Sequence, residues 1–312
     1  MILVVSFRDN PHVEAVLEHL RRPWVVIDVA DFPTRAALNV AFSRDEELVS
    51  LRLADGTVVR SETVGAVWYR RERPMEIDPL ITDPRARLFA WSESNEAFTG
   101  FLRTLHCYWM NPPAADEEAQ RKIRQLQLAR AVGLPVPETC ITNDPTVARE
   151  FVLRHPSDGV VRKAFRNIRE APRPTKVVNA ADRDRLDDVR YAPVTLQEYV
   201  PALLDLRVLV VEDEVFTAAI RSAPEYQVDY RPGIGSAEFS AYALPDEVAN
   251  ALLELHRQLG LVFGASDLRV TPDGAHVFLE VNPGGEYLFA SERAGLPVPE
   301  AIAAALARHD TD

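Results

Sequence analysis

Over the first 110 residues, short apolar runs alternate with amphipathic stretches. The runs at 2–6, 24–28, 48–53 and 66–69 have strand length and are rich in β-branched and aromatic residues. Asp55-Gly56 provides a hairpin turn between 48–53 and 57–60. Apolar positions at helical spacing fall around 12–21 and along 84–106. Strands alternating with helices predict an α/β unit with a largely parallel sheet.

Asn111-Pro112-Pro113 interrupts this pattern and marks a boundary. The next stretch predicts a helix over 116–132. Asp116 serves as N-cap, Glu117 and Glu118 suit the positive end, Gly133 is the stop, and Ala119, Ile123 and Leu126 form an apolar stripe. Residues 134–136 and 139–142 lead into a helix near 145–154. Residues 160–163 read as a short strand entering a basic, proline-containing segment that ends near Pro174, a composition expected of a mobile loop. A strand-rich block follows at 194–199, 206–211 and 215–221, with Glu212-Asp213-Glu214 as a turn. Then come a long loop over 223–238, a helix over 246–259 and a closing helix over 299–308. The chain divides on this reading into 1–112, 113–192 and 193–312.

The most informative stretch is 264–285. It reads as two apolar strands around a Thr271-Pro272-Asp273-Gly274 turn. Glu280 and Asn282 are two apart and share one strand face, while Leu279 and Val281 fill the other. Together with Asp267 they make two carboxylates and an amide oxygen, a donor set that suits Mg²⁺ better than zinc. The loop length leaves one alternative open. An even-length loop puts Asp267 on the face of Glu280 and Asn282. A three-residue loop with a Gly274 bulge turns it away, unless a further irregularity corrects the register.

Composition narrows the function classes. The chain has 312 residues, 47% of them hydrophobic and 26% charged, ordinary for a globular protein with more than one core. The formal net charge of −12 argues against a nucleic-acid partner, and no apolar run is long enough to span a membrane. The first residues read as a buried strand, not a signal peptide. With only Cys107 and Cys140, no disulfide framework is suggested, and a reducing, cytoplasmic setting is expected. Basic clusters at 70–73 and 162–173 fit a local anion or a solvated surface.

Several short strings, in order, resemble an ATP-grasp ligase over essentially the whole chain. They are Val67-Trp68-Tyr69-Arg70-Arg71, Trp109-Met110-Asn111-Pro112-Pro113, Lys122-Ile123-Arg124-Gln125-Leu126 and Gly133-Leu134-Pro135-Val136-Pro137, followed by Thr142-Asn143-Asp144, Gln197-Glu198-Tyr199-Val200, Asp205-Leu206-Arg207, Asp229-Tyr230-Arg231 and the 264–285 hairpin. The subgroup most resembled is the peptide-modifying one, the graspetide synthetases. The resemblance implies an α/β ATP-grasp fold: a pre-ATP-grasp domain over 1–112, a central subdomain over 113–192, and a C-terminal subdomain with the metal site over 193–312.

The resemblance also implies roles. Lys122 and Lys163 bind ATP phosphates, Gln197, Glu198 and Val200 form the adenine hinge, and Asp205 lies on the ribose side. Asp267, Glu280 and Asn282 hold Mg²⁺, two ions by analogy. Arg207 and Arg221 neutralise the transferring phosphoryl group and the acyl phosphate. Asp229 and Arg231 orient the incoming groups, and Arg70 and Arg71 contact the substrate. One departure is the segment after Lys163, which carries no glycine where many ATP-grasp proteins have a Gly-rich phosphate lid.

The implied reaction activates Asp or Glu side chains of a ribosomal precursor peptide as acyl phosphates. Ester or amide crosslinks then close macrocycles, with an N-terminal leader as the recognition handle and a homodimer as an open arrangement. Competing readings are a ligase joining free amino acids, dipeptides or a protein tail, a nucleotide-binding regulatory relative, and an unrelated α/β protein.

Overall fold

The computed structural model describes residues 1–155, 159–165 and 174–310. The loop expected after Lys163, with the lid in question, falls largely on 166–173 and lies outside the described residues.

The first part of the chain builds an all-parallel sheet in the order Trp24–Ile27, Ile2–Val5, Ala66–Tyr69, Tyr108–Met110. Ile2–Val5 is central and wholly buried, as expected of a parallel strand covered on both faces. Its alternate residues enter different cores. Ile2 and Val4 pack with Val13 and Val16 of the helix Pro11–Leu17 and with Ile302 and Leu306 of the helix Val298–His309. Leu3 and Val5 pack with Phe98, Phe101 and Leu102 of the helix Pro84–Arg103. A separate antiparallel sheet joins Ala37–Phe42, Glu47–Arg52 and Val58–Arg60. The strand Ala37–Phe42 was not anticipated, since both of its faces are largely open and its pattern carries no alternation of burial.

The helix expected over 116–132 is two helices, Pro113–Ala119 and Lys122–Ala131. Pro113 takes the first helical position, so Asp116 lies in the first turn and is not the cap. Arg121 breaks the run with an extended backbone, φ −76° and ψ 95°. The break turns the carbonyl of Ala119 toward the Gln125 amide, which donates to it.

The middle of the chain forms an antiparallel sheet in the order Lys176–Val177, Val160–Lys163, Val194–Glu198, Thr139–Thr142. Val194–Glu198 hydrogen-bonds within this sheet, so a division of the chain is better drawn after Glu198 than at 192. The last sheet is antiparallel, in the order Glu238–Ala241, Glu214–Arg221, Leu204–Val211, Phe263–Val270, His276–Asn282. One face buries Leu206, Val208, Leu268, Phe278 and Val281 under Leu128 of Lys122–Ala131 and Leu252, Leu255 and Leu259 of Asp246–Leu259. Each such leucine contributes about 1.5–3 kcal/mol by leaving water. The other face shares its core with the parallel sheet through Leu209, Val211, Phe263 and Ala265. Among the described residues, no helix is long and apolar enough to cross a membrane.

Candidate functional site

The hairpin Phe263–Val270 and His276–Asn282 settles the question of register. Thr271 N donates to Ala275 O and Gly274 N to Thr271 O, both at 2.9 Å, around a three-residue loop in which Gly274 has φ 88°. Such a loop alone turns Asp267 away. A second irregularity follows: Leu268 pairs with Phe278, but Asp267 pairs with Glu280, so Leu279 is bulged out. The two irregularities compensate. Asp267 faces Glu280, and Asn282, opposite Ala265, shares that face.

Cations from three other elements converge there. Arg207, directly across from Asp267 on Leu204–Val211, places Nη1 2.9 Å from Asp267 Oδ1, while its Nε and Nη2 donate to Glu286 O at 3.2 and 2.7 Å. Lys122, first residue of its helix, places Nζ 2.6 Å from Glu280 Oε2 and 3.4 Å from Asn282 Oδ1. Asn282 Nδ2 donates to Glu280 Oε1 at 3.1 Å. Burial alone pushes the Glu280 carboxyl up, but Lys122, the Asn282 amide and Lys163 outweigh it and hold it well below the usual range. Lys163 ends Val160–Lys163 opposite Thr195, and burial pushes its ammonium down to about 8 against the pull of Glu280 and Asp267. Tyr230 Oη donates to Asp267 Oδ1 at 3.4 Å. Burial pushes its phenol up, so it stays protonated.

The donor set fits Mg²⁺. Among the described residues no group of three or more His, Cys, Asp and Glu is placed to hold a metal. The hairpin reaches three donors only through the Asn282 amide oxygen, and hard oxygens with adjoining ammonium and guanidinium groups suit a cation bound together with phosphate.

The expected hinge is partly committed to the protein. Gln197 is buried and donates to Thr139 Oγ1 at 2.9 Å. Glu198 is exposed, its N–H donates to Glu138 O at 2.8 Å, and its carboxylate accepts from Glu138 N at 3.2 Å. The Val200 carbonyl accepts from Arg269 Nη1 at 2.8 Å. Asp205 is buried against Arg269, with Nε 2.9 Å from Oδ1. Burial raises its carboxyl despite the guanidinium.

Other candidates lie outside the cluster. Arg221 is exposed at the end of its strand, and alternation puts it on the face opposite Ala218 and Ile220, the partners of Arg207 and Asp205. Asp229 and Arg231 pair with each other, through Nε–Oδ1 at 2.7 Å and Nη2–Oδ2 at 2.5 Å. Arg70 is buried, and its Nη atoms donate to the carbonyls of Gly284 and Gly285 at 2.5 and 3.2 Å. Arg71 is exposed, 3.4 Å from Glu286 Oε1.

Three residues of this region had no role on sequence grounds. Asn111 brackets the hairpin: its Oδ1 accepts from Val262 N and Phe263 N at 2.8 Å, and its Nδ2 donates to Phe263 O and Pro283 O. Gln125 clamps the other strand, accepting from Val281 N at 3.0 Å and donating to Val281 O at 2.7 Å. Arg269 is the third, and its signal was visible: two residues from Asp267 in a strand means the same face. Two cavities, of about 300 and 290 Å³, open among residues of the first 113 and include no residue of this cluster.

The known proteins that this chain resembles are ATP-grasp ligases and macrocyclases. The MvdD pre-ATP grasp domain model matches residues 1–117. The macrocyclase MdnC from Microcystis aeruginosa MRC, solved with its precursor peptide MdnA, is 31% identical over 98% of this chain and 99% of its own, with a TM-score of 0.87. The macrocyclase MdnB from the same organism is 31% identical over 98% of each chain, TM-score 0.82. The ATP-grasp ligase PsnB, complexed with a phosphomimetic variant of its minimal precursor, Mg and ADP, is 25% identical over 99% of this chain and 98% of its own, TM-score 0.78. A comparison with curated protein sequences gives no match.

Proposed function

The chain belongs to the graspetide-type ATP-grasp ligases, and from that premise we propose that it joins side chains within a ribosomal precursor peptide. The observation that carries the reading is the face-to-face placement of Asp267 and Glu280, with Asn282 beside them and Lys122, Arg207 and Lys163 around them. A side-chain carboxylate of the peptide attacks the γ-phosphate of ATP, giving an acyl phosphate and ADP. A hydroxyl or amine of the same peptide then displaces phosphate and closes an ester or amide ring. Activation is needed because a carboxylate resists nucleophiles and oxide is a poor leaving group.

Asp267, Glu280 and Asn282 would hold Mg²⁺, two ions on this reading, which supplies charge neutralisation at the phosphates when bound. Lys122 and Lys163 carry positive charge to the polyphosphate side, and Arg207, fixed by Glu286 O, meets the transferring group. Tyr230 and the Asp229–Arg231 pair edge the site where peptide arrives. Arg71, the exposed member of its pair, is the one placed to meet acidic peptide.

The test is the intact mass of a Thr-, Asp- and Glu-rich candidate precursor after incubation with enzyme, ATP and Mg²⁺. ATP-dependent loss of one or more waters supports macrocyclisation. An unchanged peptide, with ADP released when free amino acids or dipeptides are supplied, moves the chain to the small-molecule ligases.

A further inference from the structure

Arg269 binds more separate segments than any other side chain of the site. It is buried, and its Nε meets Asp205 Oδ1 at 2.9 Å. Nη1 donates to Val200 O at 2.8 Å, at the end of the proposed hinge. Nη2 donates to Gln227 O at 2.6 Å and Val228 O at 3.2 Å, on the segment that leads into Asp229, Tyr230 and Arg231. Its Cζ lies over the Tyr199 ring, 5.6 Å from the centroid. One fork therefore ties together Val200, Asp205 and the 227–228 carbonyls from the strand that carries Asp267. Lysine lacks the planar donor set to do this, because a single ammonium does not reach carbonyls on two sides and stack on a ring.

We propose that Arg269 is a positioning residue that couples nucleotide binding at 197–200 to the arrangement of the peptide-facing loop 227–231. This rests on the ligase reading above. Nucleotide seated on the hinge fixes Val200. Arg269 transmits that constraint to the carbonyls of Gln227 and Val228, and the loop orders around Tyr230 and the Asp229–Arg231 pair. Coupling of this kind is reciprocal, so an ordered loop in turn favours nucleotide.

Hydrogen–deuterium exchange with and without MgADP tests it, because it reads each segment separately and needs no peptide. In the wild type, MgADP is expected to slow exchange over 197–200 and, by about fivefold or more, over 226–233, the lower range of ordinary coupling between sites. In Arg269→Lys, the hinge still responds and the loop responds less than about twofold. Equal loop protection in the variant overturns the proposal, as does a wild-type loop that ignores MgADP while the hinge responds. A wild-type hinge that does not respond to MgADP overturns the nucleotide site itself, and this inference with it. Should Arg269→Lys fail to fold, Arg269→Gln carries the same expectation, since the shorter amide keeps a donor toward Asp205 but cannot also span to the carbonyls of Gln227 and Val228.

Discussion

Lys122 Nζ sits 2.6 Å from Glu280 Oε2, so the helix Lys122–Ala131 starts with its ammonium against the carboxylate of the last strand. The pair is partly open, with side-chain exposures of 23% and 34%. Its net contribution to stability is therefore small, about 1 kcal/mol or less. Its weight, on the proposed function, lies in holding a charged carboxylate beside an ammonium where phosphate is to bind.

Glu280→Gln should reduce ATP-dependent turnover by more than about 100-fold while shifting unfolding free energy by no more than about 1 kcal/mol. Urea unfolding and ADP release together check this. Unimpaired turnover removes Glu280 from the mechanism.

Lys163 gives a pH dependence with a definite sign. Its ammonium is lowered to about 8 in the folded chain from 10.5. Below pH 8 it is charged in both folded and unfolded chains, and the burden of burying that charge is full. The burden lifts as pH rises through the window from 8 to 10.5, so this group makes the nucleotide-free protein more stable there. Nucleotide affinity runs the other way, since the phosphates need the charge. The Kd for MgADP should rise above pH 8, by up to about tenfold per pH unit, and Lys163→Ala should flatten the profile. A wild-type Kd that is constant from pH 7 to 9.5 excludes Lys163 from phosphate binding.

Gln125→Ala removes both hydrogen bonds to the Val281 backbone and leaves buried polar groups unpaired. A loss of about 2–4 kcal/mol is expected in urea unfolding. A loss under 0.5 kcal/mol would mean that water or a neighbour replaces the amide.

Arg70 and Arg71 should separate sharply. Arg70→Ala leaves the carbonyls of Gly284 and Gly285 without their donor and opens a buried space, and is expected to destabilise by about 3 kcal/mol. Arg71→Ala should leave stability within about 0.5 kcal/mol and instead raise KM for an acidic peptide. Equal effects of the two on stability contradict the division of roles drawn from their burial.

What the sequence made legible was local and periodic. Strand alternation placed Glu280 and Asn282 on one face, and the strand–helix order over the first 110 residues pointed to the parallel sheet. The position of Asp267 turned on two compensating irregularities, of which only the Gly274 turn leaves a sequence signal; the Leu279 bulge depends on the fit of one strand to the other. Long-range partners were not legible. The Arg269–Asp205 pair, the Gln125 amide on Val281 and the Arg70 fork on Gly284 and Gly285 join segments distant in sequence; strand alternation gives the face of Arg269, but no local pattern names the partner of any of the three. The open strand Ala37–Phe42 and the break at Arg121 escaped for a related reason, since neither buries a regular stripe.

The turn that follows Asn282 is gripped from the opposite end of the chain, by Arg70 on Gly284 and Gly285, by Asn111 on Pro283, and by Tyr287 reaching His12 O at 2.6 Å. A protein engineer exchanging first domains between relatives would therefore be exchanging part of the frame of the hairpin that carries Asp267, Glu280 and Asn282. Chimeras joined near the Asn111-Pro112-Pro113 boundary are expected to work only when donor and acceptor agree at these grips, whatever their agreement on the peptide-facing surface.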